Sequence, residues 1–157
     1  PHREDNSGTD GCSIPTYAVP LTNLATGFAK LATGEGLAAE RAAAARRLFA
    51  ACMAEPFYVA GTGRADTAMM EAGQGRVFVK VGAEGVYCGA VPELGLGFAI
   101  KIDDGAGRGA EAAVAALLAW LLRADEALAA RYVGMAAVTM KNWNGIEVGQ
   151  VRGLPLS

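Results

Sequence analysis

With 157 residues, 52% of them hydrophobic, the chain has the size of one ordinary domain and enough apolar matter for a real core. A formal charge of -2 gives no basic field for nucleic acid. The longest mostly apolar run, residues 112–122, is far short of the roughly 20 residues that cross a bilayer, and no secretory signal opens the chain, so the expectation is a soluble, cytoplasmic protein with no nucleic-acid or membrane partner.

Cys12, Cys52 and Cys88 are an odd number at wide spacing without a Cys-x-x-Cys, which encodes neither a disulfide framework nor a zinc ribbon and predicts reduced thiols. The only histidine is His2, and its isolation in a polar leader removes histidine triads and His-Glu-x-x-His zinc sites from consideration. The chain starts at Pro1 without an initiator methionine and reads as the back part of something longer.

In chain order, residues 1–11 are polar and turn-rich. Residues 20–33 place Leu21, Leu24, Ala25, Phe28 and Leu31 at helical spacing on one face. Gly34-Glu35-Gly36 breaks that helix. A second helix is predicted over 37–55, with Ala38, Ala42, Ala45, Leu48, Phe49 and Cys52 inward and Pro56 ending it. Residues 59–67 read as a glycine-containing loop, followed by a helical turn over 68–72. Strands are predicted over 77–81, 86–91 and 97–102, β-branched or aromatic runs joined by short turns into an antiparallel meander. Asp103-Asp104-Gly105 closes the meander. A long helix over 108–131 then presents Val114, Leu117, Leu118, Leu121 and Leu122 to the sheet, and a turn at 142–145 leads into a last strand over 146–152. The pattern predicts an α+β domain, an antiparallel sheet covered by helices, rather than a doubly wound parallel sheet.

Two groups carry candidate chemistry. Cys12 lies in an Asp-Gly-Cys-Ser-x-Pro turn with Asp10 two residues away, where backbone amides and Ser13 can surround a thiolate that serves as soft metal ligand or nucleophile; a lone cysteine is also ordinary core filler. Lys80 lies on a predicted strand, on the face of Phe78, where apolar neighbours would desolvate its amine toward a general base. Gly82, two residues on, leaves room for a substrate against the strand; a plain solvated lysine is the competing reading. Cys52 and Cys88 fall in apolar periodic elements and read as core. The loop Gly61-Thr62-Gly63-Arg64-Ala65-Asp66-Thr67 lacks the ending of a phosphate loop; it reads as structural, with Asp66 capping the next helix and Arg64 bonding carbonyls or a carboxylate. Asp103 and Asp104 suit a turn, and Glu84 and Glu93 form no acid pair.

Taken in order, Asp-Gly-Cys-Ser-x-Pro, Val-Ala-Gly-Thr-Gly-Arg-x-Asp-Thr, Lys-x-Gly-Ala-Glu-Gly-Val-Tyr, Lys-Ile-Asp-Asp-Gly and Asn-x-Asn-Gly-x-x-Val-Gly resemble the carboxy-terminal half of the L-asparaginase II family, the class 3 asparaginases, from residue 8 onward. The resemblance implies a homodimer with the fold of penicillin-recognising serine hydrolases and β-lactamases, hydrolysing L-asparagine to L-aspartate and ammonia. It implies that Lys80 is the active-site strand lysine, in a place analogous to the β-lactamase Lys-Thr-Gly strand. It further implies that Asp10 and Gly82 line the substrate site and that Cys12 is one ligand of a zinc ion. The Ser-x-x-Lys nucleophile pair, a second serine and the other zinc ligands would then lie upstream, so residues 1–157 would be the carboxy-terminal portion of a single domain, inactive alone. Where the family commonly has His-Pro, this chain has Glu55-Pro56, which reads as a tolerated change at a surface helix end. Two other readings stay open: a different serine hydrolase of the same architecture, such as one acting on β-lactams, and a non-catalytic domain that binds a partner.

Overall fold

A computed structural model describes residues 4–154 and residue 156; His2 lies outside the described residues. The chain opens with a hairpin, β1 (Ser7–Thr9) and β2 (Pro15–Tyr17), paired Ser7 to Tyr17 and Thr9 to Pro15. Helices α1 (Leu21–Thr33), α2 (Ala39–Ala54), α3 (Pro56–Ala60) and α4 (Ala65–Gly73) follow. Strands β3 (Phe78–Val81), β4 (Val86–Val91) and β5 (Leu96–Lys101) form the central antiparallel sheet. Helices α5 (Gly107–Leu121) and α6 (Glu126–Met135) and a second hairpin, β6 (Ala137–Lys141) with β7 (Glu147–Arg152), complete the order. The architecture is α+β, and no helix of the described residues is long and apolar enough to cross a membrane.

Register divides the sheet into two faces, because directly paired residues share a face and neighbours along a strand alternate. Lys80 pairs with Cys88 and Cys88 with Ala99, while Phe78 pairs with Ala90. Helices α1 and α2 cover this face: the Phe78 ring lies 6.0 Å from that of Phe28 and 4.7 Å from that of Phe49. Gly97 makes the approach of α1 feasible, since a Cβ there would strike the backbone of Ala25 and Ala29. The other face carries Val79, Tyr87 and Val91, all fully buried. It meets α5, whose Val114 and Leu118 are equally buried.

Helix α1 ends as its sequence dictates. Gly34 takes a left-handed φ of 79° and donates its amide to the Lys30 carbonyl at 2.8 Å. Pro56 ends α2 and also opens α3 at a first-turn position where its missing N–H costs nothing, so residues 59–67 are not a continuous loop. The expected helix over 108–131 is two helices. Asp125 caps α6 by accepting the Leu128 amide at 3.1 Å, and the same carboxylate accepts from Arg76 at 2.6 Å, which fixes the break after Leu121.

Several side chains expected inward face solvent. On α2 the buried line is Ala42, Ala45 and Phe49, a helical i, i+3, i+7 stripe that leaves Leu48 at 69% exposure and Ala38 exposed ahead of the helix. On α1 the contact line runs through Leu24, Ala25 and Phe28, leaving Leu21 and Leu31 exposed at its margins.

Candidate functional site

Lys80 stands on β3, an edge strand of the three-stranded sheet. Its face is covered by aromatic rings at Phe78, but the cover stops there and Lys80 itself is exposed, so the expected desolvation by strand neighbours is not found. The ammonium donates to the carbonyl of Val81 at 2.9 Å. The Val81 amide, on the free edge of the strand, donates to Asp66 Oδ2 at 2.8 Å. The hydroxyl of Tyr87, cross-strand partner of Val81, donates to Asp66 Oδ1. Burial first, then the Asp66 carboxylate, drives the Tyr87 phenol well above its ordinary 10.0.

Asp66 is therefore no helix cap. It sits in the first turn of α4, only 1% exposed, and reaches the sheet. Thr67 beside it donates to the Gly61 carbonyl at 2.7 Å, closing the glycine segment onto α4. Arg64, expected to bond nearby carbonyls or a carboxylate, is exposed and makes no side-chain hydrogen bond or ion pair among the described residues. Asp66 and Tyr87 were missed as site residues. Their only sequence signal is that both fall inside the motif segments flanking and containing Lys80.

Gly82 follows Val81 in the exposed turn and donates its amide to Val86 at 2.8 Å. A Cβ there would lie 3.1 Å from the Val86 Cβ, so the hairpin itself has a reason to use glycine at this position.

The Cys12 turn is a separate small structure. Asp10 donates its amide to Ile14 at 2.9 Å, Ser13 donates back to Asp10 at 2.8 Å, and Ser13 takes a φ of 70°. The Cys12 thiol donates to Asp10 Oδ2 at 3.1 Å. That bond, with amides of the turn, holds the Asp10 carboxyl below its ordinary 3.8. Asp10 and Cys12 thus meet, while Gly82 stands in the turn two residues beyond Lys80 with no hydrogen bond between them. Among the described residues no hydrogen bond or ion pair joins the two pairs.

As a zinc site the turn offers one sulfur and one carboxylate oxygen, both exposed. These donors suit zinc, and a tetrahedral site needs further ligands; no group of three or more such side chains is placed for a metal among the described residues. Cys88 is buried and Cys52 half-buried, as expected of core thiols, and burial pushes the Cys88 thiol up. Glu93 forms no acid pair. It binds Arg76 at 2.7 Å, and Arg76 also holds Asp125, a clamp that joins the α4–β3 connection, the turn before β5 and the start of α6. Glu55 is exposed at the junction of α2 and α3, where its amide donates to the Ala51 carbonyl at 3.1 Å and its side chain makes no capping bond.

The fold and the lysine-bearing edge strand define an α+β domain with a candidate amine site. The family model described as L-asparaginase II matches residues 1–153, reaching further toward the start than the motifs alone. The chain belongs to the L-asparaginase II family, and so to proteins with asparaginase-type hydrolysis of amides. No curated protein matches it.

Proposed function

We propose that the chain carries the lysine strand and the thiolate turn of an L-asparaginase that converts L-asparagine and water to L-aspartate and ammonia. The observation that carries this is the placement of Lys80: within a family-matching motif, its ammonium is solvent-accessible while its strand is pinned on both sides. In this reading a serine upstream of these residues attacks the side-chain carboxamide, and its proton passes to a lysine amine. The proton is then delivered to the leaving nitrogen, ammonia departs, and water hydrolyses the acyl-serine to release aspartate and restore the serine. Lys80 tunes or accepts that proton from the strand side. Asp10 and Gly82 line the substrate site, and Cys12 binds zinc together with ligands from the upstream residues. The metal, when bound, helps position substrate. The whole enzyme has the β-lactamase-like architecture and acts as a cytoplasmic homodimer.

Ammonia release from L-asparagine by the full-length enzyme tests the reading. Lys80→Met is expected to lower turnover by about 10²-fold or more, the size of a lost general base, with circular dichroism unchanged. Wild-type turnover in that variant defeats the assignment. β-lactam opening without ammonia release would instead select the related serine hydrolase.

A further inference from the structure

Among the described residues Asp66 is the most heavily buried charged side chain, at 1% exposure, and no lysine or arginine there forms an ion pair with it. An unpaired carboxylate is an expensive way to attach a helix to a sheet, a job an alanine or leucine does without desolvating a charge. Both of its oxygens are committed, one to the Val81 amide and one to the Tyr87 hydroxyl. Those two partners face each other across the β3–β4 ladder, one residue beyond the Lys80 to Cys88 pair.

We infer that Asp66 and Tyr87 are positioning residues for Lys80, an inference that rests on the reading of Lys80 as the active-site amine. Among the described residues β3 has a neighbour strand on one side only. The ladder to β4 holds Lys80 from within the sheet, and the outward amide of Val81 would otherwise be an open edge group free to fray. Asp66 closes that edge from α4. The Val81 carbonyl, on the same residue, is the acceptor for the Lys80 ammonium. Strand, amine and helix are thus tied at one residue, and the Tyr87 hydroxyl fixes the carboxylate from the second strand. Such a device matters to a reaction in which displacement of a group by about 1 Å costs on the order of 10²-fold in rate.

The test uses the full-length enzyme and a double-mutant cycle. Asp66→Ala is expected to lower kcat by roughly tenfold or more with little change in KM. Asp66→Asn, which keeps an acceptor for the Val81 amide, is expected to recover most of that loss. In the Lys80→Met background, Asp66→Ala is expected to cost nothing further, because residues acting through one group are not additive. Where Asp66→Ala fails to fold, Tyr87→Phe carries the same comparison, since it removes one hydroxyl and leaves the carboxylate on Val81. An equal fractional loss with and without Lys80, or wild-type kcat in a folded Asp66→Ala or Tyr87→Phe, overturns the inference and leaves the role of Lys80 intact. Wild-type turnover in Lys80→Met alone overturns both.

Discussion

Strand β3 is held from within by the β4 ladder, from outside by Asp66 and on its two faces by helices packed on Phe78 and on Val79, whereas the Cys12 hairpin is held mainly by its own ladder and turn bonds, with every residue from Thr9 to Tyr17 exposed. The two candidate groups therefore stand on segments with very different support. The amine proposed for the reaction stands on backbone fixed by ladder, side chain and helices. The thiol turn stands where a metal, once bound, would itself supply the order.

The largest expected effect strikes the constrained region. Leu118 is fully buried against the sheet and Leu48 is 69% exposed; Leu118→Ala is expected to cost about 2–5 kcal/mol through lost burial and a residual cavity. Leu48→Ala should stay within about 0.5 kcal/mol. Urea unfolding of the two variants measures the contrast, and similar costs would mean that the exposed side of α2 is covered in solution.

The thiols sharpen the comparison on a second axis. A thiol reagent on the native protein should modify Cys12 fast and Cys88 only on unfolding, since one is exposed and the other buried with its thiol pushed up by burial. Cys12→Ser should strip zinc from the full-length enzyme while leaving the melting temperature of the metal-free protein unchanged. Equal metal loss in Cys88→Ser would place the metal elsewhere or tie its loss to unfolding.

This division also explains what was legible in the sequence. The meander over β3, β4 and β5 was, because strands covered on both faces are written as short β-branched and aromatic runs between turns. The two hairpins were only partly so: β1, β2 and β6 have solvent on both faces and carry no alternation to read. The break between α5 and α6 was hidden because the apolar periodicity runs on through Leu121, Leu122 and Leu128. Only an aspartate at residue 125, ahead of Glu126, marked a new start. Lys80 and the Asp10 to Cys12 pair were visible as motifs. Asp66 was visible only as an acid at a helix start, since whether such a carboxylate turns to its own helix or to Val81 is decided by where the sheet lies.

A smaller effect concerns the Arg76 clamp. Asp125 and Glu93 are both held below their ordinary 3.8 and 4.5, in each case chiefly by the hydrogen bond from Arg76. A depressed folded pKa means stability that is present above those ordinary values and lost as pH falls through the lowered ones. Arg76→Gln should therefore reduce the melting temperature slightly at neutral pH and flatten its fall below about pH 4.5, where the carboxylates protonate. All three side chains are partly exposed, so salt should shrink the difference. The opposite limb belongs to the buried phenols. Tyr132, fully buried with its hydroxyl on the Met69 carbonyl at 2.9 Å, is pushed up to about 12 by burial. Its contribution is complete below the ordinary 10.0 and is lost as pH rises from there through about 12.

The smallest expected effect returns to the exposed side of the comparison. Trp143, at the tip of the β6–β7 hairpin, is 105% exposed, and Val138, Ile146 and Val148 of the same hairpin are at 51–60%. A side chain with no neighbours contributes no burial and leaves no cavity, so Trp143→Ser should change stability by less than about 0.5 kcal/mol. The turn itself is closed without it: Asn142 accepts the amides of Asn144 and Ile146, each at 3.0 Å, through its own side chain. Thermal unfolding at two protein concentrations measures this. A loss above about 1 kcal/mol, the scale of a buried hot-spot contact, would show that the hairpin tip is covered in solution. The contrast between a constrained sheet and free hairpins would then hold for the single chain and not for its assembled form.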